Sequence, residues 1–160
     1  MMKTRNNTFS PKVPQSPFDR ALKYLSFRQR STKEIHDYLV KKQYEDNDIR
    51  EAIEKLIELK FLNDDDFARL FTENRQRKGK SKKSIEFELK QKGISKEKAT
   101  DILDFAKSDI KTALEYMTKR VKQFDRLEPE LRQKRIISRL RSRGYDWDTI
   151  SKVLKKLTTH

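Results

Sequence analysis

The 160-residue chain has no cysteine, which excludes disulfides and thiolate metal sites. It has only 3 glycines and 4 prolines, and three of the prolines precede residue 18. No run approaches the roughly 18 apolar residues that span a membrane. The opening segment MMKTRNNTFSPKVPQSP lacks the apolar stretch of a secretory signal. No alternating pattern of a β-strand stands out. Gly-rich phosphate loops, a nucleophile beside a placed base and a His or Cys ligand cluster are all missing. No catalytic residue, metal or cofactor is therefore expected, and a soluble, cytoplasmic, all-α protein is.

Charge is present in excess. Charged residues make up 40% of the chain and hydrophobic ones 34%, so the core must be thin and the surface large. The net charge is +14, distributed as +3 over 1–17, +1 over 18–62, +3 over 63–108 and +7 over 109–160. Such an excess suits a polyanionic partner, either nucleic acid or an acidic protein surface, although basic chains are also simply well solvated.

The apolar residues repeat. Ile35, Leu39, Tyr44, Ile49 and Ile53 recur 50 residues later as Ile85, Leu89, Ile94, Ala99 and Leu103. They recur again after 51 more as Ile136, Leu140, Tyr145, Ile150 and Leu154. Gln43, Gly93 and Gly144 hold the same slot, a helix end followed by a turn. A period of this length marks a tandem array, whose usual purpose is an extended surface rather than a pocket.

Within the period the pattern is helical throughout. Ser31, Ser81 and Ser95 are N-cap candidates, and Ser31 with Glu34 forms a capping box. Phe87 joins Ile85 and Leu89 as an apolar position, and Ala106 closes a helix begun at Ser95. A longer helix is expected around Ile110, Leu114, Met117 and Val121, and Pro129 fits the first turn of the next. The expected organisation is a flexible basic tail over 1–17 and three-helix repeats over 18–62, 63–108 and 109–160. Stacked, these would form an elongated, curved array.

Two basic runs are candidate binding zones. Arg75, Arg77, Lys78, Lys80, Lys82 and Lys83 span a helix end and the next helix start, around Gly79. Arg132, Lys134, Arg135, Arg139, Arg141 and Arg143 lie on one helix with no acid between them, forgoing the i,i+4 pairs of an ordinary solvated helix. Such groups suit bidentate or point contacts with phosphate or carboxylate, and a plain solvated surface is the competing reading. Asp64, Asp65 and Asp66 fit a helix start better than a metal site. His36 reads as a surface residue and His160 is terminal. Trp147 is read as capping the core, with stacking on a partner as the alternative.

Several stretches resemble the RecX family: ALKYLSFRQRSTKEI (21–35), FLNDDDFAR (61–69), Arg75 with Lys78-Gly79-Lys80, ELKQKGI (88–94) and RSRGY (141–145). The resemblance covers about residues 18–157, and departs in the Pro-rich tail and at Ser81. It implies tandem three-helix repeats and a regulator, usually an inhibitor, of the bacterial recombinase RecA. Such a protein would lie along the groove of the RecA–DNA filament and affect its growth and its ATPase, strand-exchange and coprotease activities. The implied setting is DNA repair, recombination and the SOS response. The implied partners are the RecA filament and single-stranded or double-stranded DNA, with the chain expected to be a monomer. The alternative is a stand-alone DNA- or RNA-binding helical protein such as a repressor. That reading suits the charge less well, because a helix-turn-helix reader concentrates its side chains on one recognition helix.

Overall fold

The computed structural model describes residues 15–158; positions 1–14 of the expected tail and His160 lie outside them. The described residues form nine α-helices and one 3-10 turn, with no strand among them. The helices are α1 (Pro17–Leu25), α2 (Thr32–Lys41), α3 (Asp46–Glu58), α4 (Asp64–Arg77), α5 (Lys82–Gln91), α6 (Lys96–Phe105), α7 (Asp109–Thr118), α8 (Pro129–Arg141) and α9 (Trp147–Thr158). The turn, Val121–Phe124, joins α7 to α8.

The helices pack in threes, each set around its own core. α1, α2 and α3 enclose Ala21, Ile35, Leu39, Ile49, Leu56 and Leu62. α4, α5 and α6 enclose Phe67, Ala68, Ile85, Leu89, Ile94 and Ala99. α7, α8 and α9 enclose Ala113, Met117, Ile136, Leu140, Ile150 and Val153. Of the fifteen apolar repeat positions, fourteen are buried. Tyr44 is half-buried, because its hydroxyl donates to the Gln15 carbonyl at 2.5 Å. All three residues of the turn slot take left-handed backbone, with φ of 63° at Gln43, 81° at Gly93 and 88° at Gly144.

Four expectations change. α7 ends at Thr118 rather than running past Val121, and the 3-10 turn that replaces it folds Phe124 into the third core. Phe87 is exposed, since two steps from Ile85 rotate it about 200° from the buried stripe. Ala106 lies beyond the last residue of α6, in extended backbone. Trp147 is 58% exposed rather than capping the core, because it opens α9 ahead of Thr149 and Ile150, where burial begins.

Successive units meet end to end along their second helices. At the first joint, the C-terminal end of α5 abuts the N-terminal end of α2; a Cβ on Gly93 would lie 2.7 Å from Lys33 Cβ. At the second, the end of α8 abuts the start of α5; a Cβ on Gly144 would lie 2.6 Å from Ser81 Oγ. Each joint sets a helix C-terminus against a helix N-terminus, the favourable sense for the macrodipoles. The N-cap serines at these joints, Ser31 and Ser81, are fully buried. An aspartate at the start of the next unit completes each clasp. The Thr32 N–H donates to Asp64 Oδ1 at 2.8 Å, and the Lys82 N–H donates to Asp109 Oδ1 at 2.8 Å. Asp64 thus has a structural task at a helix start, and no group of carboxylates suited to a metal occurs among the described residues.

Candidate polyanion interface

The first basic zone runs off the end of α4 into α5. Two of its cations meet an acid that sequence order hides: Arg75 Nε lies 2.5 Å from Glu88 Oε2, and Lys80 Nζ lies 3.9 Å from Glu88 Oε1. Arg75 also packs its guanidinium 4.6 Å from the Phe71 ring centre. Lys82 Nζ donates to the Leu103 carbonyl and so closes the end of α6. Arg77 donates to Asn74 Oδ1 at 2.9 Å, an exposed and neutral partner. Lys78 and Lys83 have exposed side chains, with Asp146 as an acidic neighbour of Lys83. The zone is therefore divided between structural cations and available ones.

The second zone lies along α8. Arg132 pairs with Asp125 at 3.1 Å, and Arg139 sits 5.4 Å from the Phe124 ring centre. Lys134, Arg135 and Arg141 are exposed. Lys134 and Arg141, seven residues apart, share one stripe of the helix. Ile136 and Leu140 hold the opposite face in the core.

The fold joins the two zones at one end only. Arg143 Nη1 donates to the Lys78 carbonyl, and the Ser81 N–H donates to the Arg143 carbonyl at 3.0 Å. Arg132 lies eleven residues up α8, about 16 Å away at 1.5 Å per residue. At the meeting point is Tyr116, 4% exposed. The guanidinium of Arg143 lies 4.1 Å from its ring centre and that of Arg120 lies 4.0 Å away. Arg120 also donates to the Tyr116 carbonyl at 3.1 Å. Sequence reasoning missed Arg120; its signal is the i,i+4 spacing from Tyr116, which places the pair on one face of the chain's turn.

Carboxylates at the two joints differ in character. Burial alone would raise the Glu34 carboxyl, but hydrogen bonds from Arg28, Lys92 and the Ser31 N–H outweigh it and hold it at about 2. Burial pushes the Asp109 carboxyl up, against the Lys82 N–H that lowers it. An open groove of about 1100 Å³ between α4 and α6 carries no net sign, because Asp65, Glu73, Glu97 and Asp101 offset its four cations. At the second joint Arg120 and Arg143 donate to backbone carbonyls and make no ion pair, while Asp109 is held by the Lys82 N–H.

Stacked three-helix units with open cations along two of them define a tandem helical repeat protein built to present a surface. No helix among the described residues is long and apolar enough to cross a membrane. Residues 18–56 match the RecX first three-helix domain, and 63–103 match the RecX second three-helix domain. The regulatory protein RecX of Bacillus velezensis is 33% identical over 142 residues, covering 87% of this chain and 54% of that protein. That of Bacillus subtilis is 32% identical over 143 residues, covering 88% and 54%. The crystal structure of RecX from Lactobacillus salivarius superposes with a TM-score of 0.73 at 26% identity, covering 90% of this chain and 96% of that one. The chain belongs to the RecX family. It spans about half the length of the curated relatives it matches.

Proposed function

We propose that the chain is an inhibitory regulator of RecA that binds along the RecA–DNA filament and so restrains recombination and repair. Its membership of a family of regulatory proteins carries the reading. The surface supports it: Arg77, Lys78, Lys83, Lys134, Arg135 and Arg141 are exposed cations spread over two units, which suits tracking along a repeating polyanion. Base-reading by one recognition helix would concentrate them.

The test is a titration into cognate RecA on single-stranded DNA. Inhibition of ATP hydrolysis is expected at sub-stoichiometric or comparable protein levels, with no hydrolysis by the chain itself. Unchanged filament assembly and unchanged hydrolysis across the titration would overturn the reading. Charge reversal at Arg77, Lys80 and Lys83 together should remove most binding to RecA-coated DNA and leave helical content intact. Reversal at Lys55 and Lys60, in the nearly neutral first unit, should matter far less. Anisotropy on RecA-coated against bare DNA separates this function from stand-alone nucleic-acid binding. In either case affinity should fall steeply with salt, by a log–log slope of about −0.7 per phosphate contact on a single strand.

A further inference from the structure

The two joints are the same construction with one exchange at their centre. In the repeat register Glu34 corresponds to Ser84, and Lys92 corresponds to Arg143. At the first joint Glu34 Oε1 accepts from Lys92 Nζ at 2.7 Å and from Arg28 Nη2 at 2.9 Å, and Glu34 Oε2 accepts from the Ser31 N–H at 3.3 Å. The cations there are neutralised within the chain. At the second joint Ser84 supplies no charge. The Ser81 N–H turns instead to the Arg143 carbonyl, and the Arg143 side chain meets no carboxylate.

The second joint therefore sets the guanidiniums of Arg120 and Arg143 on one ring with no carboxylate in ion-pair contact with either; its one clasping acid, Asp109, is held by the Lys82 N–H. Like charges brought together in a half-buried place repel unless an anion joins them. Both groups are held in position. Arg143 spends one N–H on the Lys78 carbonyl and Arg120 spends one on the Tyr116 carbonyl, while both guanidiniums pack on the Tyr116 ring. Each retains further N–H groups, and Arg143 Nε is buried with no acceptor. Fixed guanidiniums with unspent donors match the oxygens of a phosphate.

We infer that the second joint is a phosphate-binding site, with Arg120 and Arg143 as its fixed ligands. Its occupant is a phosphate group, from a nucleic-acid backbone or free in solution. The inference deepens the filament reading by placing one of its anion contacts, yet it can stand or fall alone. Bound phosphate would do for the second joint what Glu34 does for the first.

The test transplants the first joint into the second. Ser84→Glu offers Arg143 the carboxylate that Lys92 has, and completes a capping box with Ser81. Arg120→Gln removes one ligand and keeps a donor for the Tyr116 carbonyl. Lys92→Gln is the matched control, since that cation is already paired. Binding of a short labelled single-stranded oligonucleotide is measured by anisotropy, and binding of inorganic phosphate by calorimetry. Thermal melts monitor folding. Ser84→Glu and Arg120→Gln should each weaken oligonucleotide binding by about tenfold, the order of one charged hydrogen bond. Both should abolish phosphate heat, and Lys92→Gln should change neither signal. Competition by phosphate over chloride at matched ionic strength assigns the free ion as an occupant; its absence leaves the backbone phosphate. If Ser84→Glu melts early, Arg120→Gln alone decides. Wild-type affinity for the oligonucleotide in a folded Arg120→Gln variant overturns the site, as does a wild-type chain that binds neither probe. RecA inhibition measured in parallel keeps the questions apart. RecA inhibition with unchanged probe binding in the variants leaves the regulator and removes the site, whereas probe binding lost in the variants of a chain that does not inhibit RecA does the reverse.

Discussion

At the joint between units one and two, a carboxylate gathers two cations and a backbone N–H; between units two and three the same ends meet with a serine in its place. Geometry is kept in both. Each has a buried N-cap serine, an aspartate clasp at 2.8 Å and a left-handed glycine against its neighbour. What changes is the source of the compensating groups. The first joint closes with a side-chain ion pair, which is self-sufficient. The second closes with backbone carbonyls, and Arg120 and Arg143 make no ion pair there. Stacking requires only the geometry, so the charge at a joint is free to vary, and the second joint is where it faces outward.

The comparison breaks first if the units themselves are unequal. Ile35, Ile85 and Ile136 occupy one repeat slot with 0%, 0% and 4% exposure. Each substitution to Ala should cost about 2–5 kcal/mol, the range for large-to-small core changes. Urea unfolding measures this. A cost at one position near zero, with the other two in range, would show that this slot is not core in all three units.

Glu34 sharpens the difference between the joints. Glu34→Gln should cost about 1.5–3 kcal/mol, as expected for hydrogen bonds to a charged group. Acid should act in the same direction. The Glu34 carboxyl is depressed from an ordinary 4.5 to about 2, so its contribution is complete above 4.5 and lost as pH falls toward 2. Asp109, at the second joint, has the opposite sign: its carboxyl is raised, so its contribution is present at low pH and lost as pH rises through its folded value. Acid should therefore loosen the first joint before the second. Hydrogen exchange at the start of α2 against the start of α5, followed from neutral pH downward, checks this. Earlier exposure at α5 would reverse the assignment.

The repeat, the helical class and the caps at Ser31, Ser81 and Ser95 were legible because each is local or periodic. The register of Ile35, Ile85 and Ile136 needs no structure to be seen. The partners of the cations were not legible, since Glu88 reaches Arg75 and Lys80 from the next helix. Arg143 likewise looked like one more member of an acid-free run, and the fold spends part of it on the Lys78 carbonyl. The clasps by Asp64 and Asp109 lie 45 residues apart, off the main period, so register could not reveal them. The exchange of Glu34 for Ser84 was visible in the register, but its meaning depends on the joint lying there. Trp147 was misjudged because hydrophobicity alone does not say where along a helix the core begins.

The smallest effects test why glycine holds two of the three turn slots. Gly144→Ala meets two penalties: a left-handed residue with a Cβ, and a contact 2.6 Å from Ser81 Oγ. That oxygen is buried and accepts from the Ser84 N–H while donating to the Gly144 carbonyl at 2.9 Å, so it has little room to give. The substitution should cost about 1–2 kcal/mol for the backbone alone, and somewhat more with the contact. Gln43 occupies the matching slot with φ of 63°, and it is exposed, with no unit abutting it among the described residues. Gln43→Gly should relieve the backbone cost without opening a joint, and raise the urea midpoint slightly. A cost at Gly144 clearly larger than the gain at Gln43 would tie glycine to stacking, since the backbone preference is common to both. Equal and near-zero effects would mean that the joint tolerates a methyl group, and that its closeness does not account for the residue.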